Sequence, residues 1–173
     1  MIMTGHIKAQ NVNHKIYLEL GFSGGVQKTS PVAGVGGALG VFINKNSSID
    51  IRVREVFNFD NMDIIGPITF NYRYNFNFGL YVGAGFAHHH EVGNQTYMVR
   101  PVESVMGMDK EIFHRSGLGF DIGYNFKPFA QKGFFSVIYP TANINITKMF
   151  MDHGSDPLIT ANVGIRIGLK KWN

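Results

Sequence analysis

The chain has no cysteine among its 173 residues, which excludes disulfide staples and thiolate chemistry. It has no apolar run approaching the roughly 18 residues that a membrane-spanning helix needs. Charge is scarce: Asp, Glu, Lys and Arg make up 16% of the chain, against about 25% in an average soluble domain. The 16 Lys and Arg residues form no compact cluster, so nothing points to nucleic acid. The net charge of +4 gives only a mild attraction to anionic surfaces, for which acidic lipid headgroups suffice. There is length for one domain and no internal repeat beyond a hairpin rhythm.

Glycine and aromatics are what the chain has in excess, with 21 Gly and 15 Phe. The stretch Gly117–Phe126, reading GLGFDIGYNF, shows how they are used. Leu118, Phe120, Ile122, Tyr124 and Phe126 alternate with Gly117, Gly119, Asp121, Gly123 and Asn125. A period of two marks a β-strand with two unlike faces. Glycine weakens a strand, so a face made largely of it implies a place without room for side chains, such as the lumen of a small closed barrel. The bulky face must then point outward, which is stable only in lipid. The fold class expected is all-β: an eight-stranded antiparallel up-and-down transmembrane β-barrel.

The same alternation predicts strands over Lys15–Val26, Val32–Ile43, Ile49–Phe59, Pro67–Tyr74, Phe78–His88, Gly117–Phe126, Gly133–Thr147 and Leu158–Leu169. The alternation breaks near Glu55–Val56, as a bulge or a strand leaving the membrane would require. Pro67 suits a strand start, and Pro140 suggests a kink or bulge early in the seventh strand. Connections after the second, fourth and sixth strands read as tight turns, Lys127–Lys132 among them. Those after the fifth (roughly 89–115), the seventh and less clearly the third are longer. Short periplasmic turns opposite longer external loops are the membrane-barrel pattern, and an even strand number returns both termini to the periplasmic end. Aromatics beside the even turns, including Tyr72, Tyr74, Phe76, Phe78, Tyr124, Phe126 and Phe129, fit an interfacial girdle. Residues 1–14 form a tail outside the barrel domain of 15–173. Ile7–Asn11, with small Ala9, looks like the end of an export signal or a disordered tail.

Seven charged residues are expected to face the lumen: Glu19, Asp50, Arg52, Arg54, Arg73, Asp121 and Arg166. A charge in a narrow lumen needs a partner or water. The mixed signs suggest an ion-pair network plugging the barrel, or else a gated pore for small ions. His88 and His90 share a strand face in the run His88-His89-His90-Glu91. They are read as a polar rim, with no metal assigned, although two imidazoles so placed could bind a divalent ion. No cofactor is expected. The apolar residues between Tyr97 and Met108 could form a contact surface or a lid over the mouth, so a partner could be engaged through residues 89–115.

The pattern resembles the eight-stranded outer-membrane barrels of Gram-negative bacteria, the OmpA/OmpX-like group, over about residues 15–169. Phe78–Phe86 and Gly117–Phe126 are similar to strands of the outer-membrane barrel domains of Bacteroidetes-type bacteria. Asn162, Gly164, Ile167 and Leu169 in the last strand resemble the family's assembly signal, although the chain continues past Leu169 where the family ends on an aromatic. The resemblance implies a non-enzymatic, porin-like integral protein of the outer membrane, with outer-membrane lipid, lipopolysaccharide and the barrel-assembly machinery as partners. It would act structurally or through external loops. Asp152-His153-Gly154-Ser155-Asp156 resembles the His-x-Ser pair of lipid A deacylase barrels, with Ser155 as nucleophile and His153 as base. No carboxylate stands about a dozen residues downstream, where Ile167 is found, so a lipid-modifying hydrolase is the alternative reading. A soluble barrel with its faces reversed, carrying an apolar ligand, is a third.

Overall fold

The computed structural model describes residues 14–92, 112–150 and 157–171. Eight antiparallel strands follow one another around a closed barrel: β1 (His14–Gln27), β2 (Ser30–Phe42), β3 (Ser47–Asn58), β4 (Ile64–Asn75), β5 (Leu80–Val92), β6 (Phe113–Asn125), β7 (Ile138–Met149) and β8 (Leu158–Lys171). β8 pairs with β1 from Gln27↔Leu158 to His14↔Lys171, so the sheet has no free edge. Closure is what lets a sheet sit in hydrocarbon, because every ladder N–H and C=O finds a partner. Strands of 12–14 residues, at about 3.3 Å per residue and a tilt of about 40°, stand about 30 Å tall, the height of a bilayer core.

The faces are turned as the alternation requires. Leu20, Phe22, Leu39, Ile51, Phe70, Phe120, Ile122, Ile144, Val163 and Ile165 are exposed on the outer wall. Glu19, Asp50, Arg52, Arg73, Asn145, Thr160 and Arg166 are buried inside. This arrangement overturns the reading with reversed faces. Outward aromatics gather at both rims: Tyr74, Phe76, Phe78, Tyr124, Phe126 and Phe129 at the end of the even connections, and Phe59 and Phe150 at the other. Ring contacts tie Tyr74 to Phe76 and Phe76 to Phe78 across the β4–β5 turn, and Tyr124 to Phe126 at the end of β6.

Four local readings change. β4 begins at Ile64, so Pro67 lies inside the strand. The β3–β4 ladder skips between Val53↔Ile68 and Val56↔Ile65 without changing register, which accommodates the missing proline N–H. No bulge is therefore present at Glu55–Val56. Val56 points inward because the lumen turns apolar at that end. β5 continues to Val92 and β6 starts at Phe113, since Glu91↔Phe113 and His90↔His114 still pair beyond the apolar belt. The β6–β7 connection is not a tight turn. It holds a 3-10 helix, Phe134–Val137, entered through Gly133 at φ 75°. Adjacent Phe134 and Phe135 are both exposed. A strand would send one of them into the lumen, whereas a helical turn leaves both rings at the interface.

Candidate functional site

The lumen is built from relays that cross three strands. In each, a long polar side chain lies over a small residue of the intervening strand. Tyr17 and Asp50 both pair with Gly40 in the ladder, and the Tyr17 hydroxyl donates to Asp50 Oδ2 at 2.7 Å across it. A Cβ on Gly40 would overlap the Tyr17 ring. Glu19 and Arg52 both pair with Ala38, and Arg52 Nη2 donates to Glu19 Oε1 at 2.7 Å. Arg73 and Asp121 flank Gly83 and form an ion pair over it. The glycines of the inner face are thus the floor beneath these side chains.

The relays join into two charged layers. Arg73 reaches Asp50 Oδ2 at 2.7 Å and also Asp121, while Asn71 Nδ2 donates to Asp50 Oδ1 at 3.0 Å. Glu19 takes Arg52 on one oxygen and Arg166 on the other, with Arg166 Nη2 donating at 2.8 Å and Nε at 3.2 Å. Arg166 also stacks on Tyr17, its Cζ 4.1 Å from the ring centroid, and Arg73 lies over Tyr81 at 4.6 Å. A guanidinium over an aromatic face gains from the ring quadrupole, more so when desolvated. Six of the seven charged residues read from the sequence meet in these layers. Arg54 differs: among the described residues it pairs with no carboxylate and donates to Thr160 Oγ1 at 2.7 Å and Asn145 Oδ1 at 2.6 Å.

Beyond Arg54, toward the end of the odd connections, Val32, Val56, Ile65 and Leu158 pack as a dry cluster inside the barrel. The void beside Glu19, Arg52 and Arg54 holds about 10 Å³, room for one water at most. Arg73, Tyr81, Thr69 and Thr160 are fully buried, so at their level the described side chains fill the lumen and leave no open bore. The lumen is a polar plug under an apolar stopper.

In β8, Asn162 faces inward and donates to Asn143 Oδ1 at 2.7 Å. Gly164 sits opposite Gly21 at the seam, where a Cβ would overlap the Leu20 carbonyl oxygen. Leu169 is exposed on the outer wall, and Ile167 is half-buried there. Two of these four residues therefore serve lumen packing and seam closure, and two serve the lipid face. Ala9, Tyr97–Met108, His153 and Ser155 lie outside the described residues.

The loop-side rim of β5 and β6 carries a second cluster on the outer wall. His88 and His90 stand on one face of β5, and the pairing His90↔His114 adds a third ring from β6. One ligand nitrogen from each lies within 4.8 Å of the others, so the three could hold a metal ion. His89, between them, turns inward and meets Thr147 Oγ1 at 3.0 Å. The sequence reading missed His114 because its place depends on how far the strands pair beyond the belt. Beside this cluster an outer-wall hollow of about 240 Å³ is lined by Val35, Gly37, Val53, Ile68, His90 and Val92.

No family model matches the chain, and no curated protein matches it. Solved structures do. The N-terminal β-barrel domain of Pseudomonas aeruginosa OprF is similar with a TM-score of 0.58 at 14% identity, over 89% of this chain and 97% of that one. Neisserial surface protein A gives 0.59 at 11% identity, over 89% and 96%. The outer membrane protein OprG of Pseudomonas aeruginosa gives 0.57 at 8% identity, over 94% and 99%. The fold is that of the eight-stranded outer-membrane β-barrels. At such identities the likeness lies in the backbone, and in an outer-membrane barrel the outer wall meets lipid while the lumen carries the polar residues. This barrel divides its residues in that way, and its filled interior is what eight strands leave room for.

Proposed function

We propose that the protein is an integral outer-membrane barrel of a Gram-negative bacterium that performs no catalysis and conducts no ions. It acts as a structural element of the membrane or through contacts made by its longer loops. Both termini and the even connections face the periplasm, and the odd connections face outward. The observation that carries this reading is the inverted distribution of side chains: apolar residues bare on the outer wall, and ionised ones buried inside, six of the seven joined in ion-pair networks. A lumen stoppered by Val32, Val56, Ile65 and Leu158 supports a role at the surface rather than through the bore.

The absence of cysteine makes sidedness directly measurable. A single Asp60→Cys, in the exposed β3–β4 connection, should react with a membrane-impermeant maleimide on intact cells. Asn77→Cys, in the β4–β5 turn, should react only after the outer membrane is permeabilised. The reverse pattern overturns the orientation, and recovery of the protein in the soluble fraction overturns the membrane reading altogether. In planar bilayers the refolded barrel should give no steady conductance, and a stable channel would contradict the plugged lumen.

A further inference from the structure

We propose that His88, His90 and His114 form a binding site for one divalent transition-metal ion of the zinc class, set on the outer wall where the barrel emerges from its apolar belt. The outward residues next below on the two strands are Phe86 on β5 and, beneath Ser116, Leu118 on β6, both exposed. The three rings thus stand one pleat beyond the lipid-facing surface.

The geometry is close to what the ion requires. Zinc binds imidazole nitrogen at about 2.0–2.1 Å in a tetrahedron, which sets neighbouring ligand nitrogens about 3.3 Å apart. His88 Nε2 and His114 Nδ1 stand 3.3 Å apart. In a hydrogen bond of this length one ring nitrogen carries the proton and the other offers its lone pair, and a modest rotation of the two rings would turn both lone pairs toward an ion set off the line between them. A metal ion takes the place of that proton. His90 packs edge-on against both rings, at 4.8 Å between centroids in each case. All three ligand nitrogens lie within 4.8 Å, so closing the triangle takes a shift of about 1.5 Å at His90 to reach the tetrahedral spacing.

His88 is oriented from behind. Its Nδ1 meets Ser116 Oγ at 3.1 Å, leaving Nε2 for the ion. Such a partner fixes the ring and its tautomer in metal sites. His90 is buried and His88 half-buried, while His114 is exposed. Three protein nitrogens leave a fourth position open on the solvent side for water or an anionic oxygen. The donor set is all imidazole, which suits zinc and disfavours calcium and magnesium, whose sites are built from oxygen.

The test uses the full chain, refolded in detergent without a polyhistidine tag, and zinc alone as the probe. Equilibrium dialysis should show one zinc per barrel. His114→Ala should weaken binding by at least about 100-fold, and Ser116→Ala by about 10-fold, the usual range for a group behind a ligand. Heat-modifiable gel mobility verifies that each variant is folded. Cobalt on the unmodified protein is an independent readout: the intense visible absorption of a four-coordinate ion is expected. Zinc retained equally by a folded His114→Ala variant, zinc absent from the unmodified protein, or the pale spectrum of six-coordinate cobalt would each overturn the site.

Discussion

Glu19 is the residue whose loss the lumen should tolerate least. It accepts three hydrogen bonds from two guanidinium groups, at 2.7, 2.8 and 3.2 Å, with its side chain 5% exposed. Glu19→Gln keeps the shape but removes the negative charge, leaving Arg52 and Arg166 without their carboxylate in a sealed interior. Removing one partner of a buried ion pair costs about 3–5 kcal/mol, or roughly 100- to 4,000-fold in the unfolding equilibrium. The assay is urea unfolding in lipid vesicles, followed by tryptophan fluorescence and by gel mobility without heating. Asp60→Asn, on an exposed turn, serves as control and should stay within about 0.5 kcal/mol. Replacing the whole cluster, as Glu19→Leu with Arg52→Met and Arg166→Met, should recover most of the loss, because no stranded ion remains. If Glu19→Gln matches the control, the charges are hydrated in a way the sealed geometry forbids, and the plugged-lumen reasoning fails.

Two further outcomes follow from the same architecture. Gly83→Val should prevent the Arg73–Asp121 pair from lying across β5, since even a Cβ there overlaps the Asp121 carboxylate. A loss of at least about 1–3 kcal/mol is expected from overpacking, and an unchanged urea midpoint would refute the relay. Phe120→Arg, near the middle of β6 on the outer wall, should destabilise the barrel in vesicles by about 2–4 kcal/mol. A negligible effect would mean that this face does not meet hydrocarbon.

The division of faces was legible in the sequence because a strand's period of two is indifferent to what the strand pairs with. Gly117–Phe126 alone shows which side is bulky. The inward charges were legible for the same reason, while their partners were not. Arg73 meets Asp121 only because β4, β5 and β6 align both with Gly83, and no local pattern reports register. Arg54 sits in the same row of charges as Arg52, yet its partners are the neutral oxygens of Asn145 and Thr160, brought from β7 and β8 by closure. His114 had a usable signal. His90 lies four residues after Phe86 and His114 four before Leu118, so matching the ends of the two apolar faces would have set the rings side by side. The 3-10 turn at Phe134–Val137 was signalled by two adjacent phenylalanines, which no half-buried strand places well.

The contact between Glu19 and Arg166 has a temporal meaning. The two residues are 147 positions apart and face each other across the seam between first and last strands. They can meet only when the curling sheet completes its circle. Until then Arg166 has no acid beside it, and two ribbon edges lie bare. The same event that hides those edges also neutralises a stranded cation, so a barrel with its ends apart is penalised twice. A contact made only at ring completion should slow reopening more than it speeds assembly.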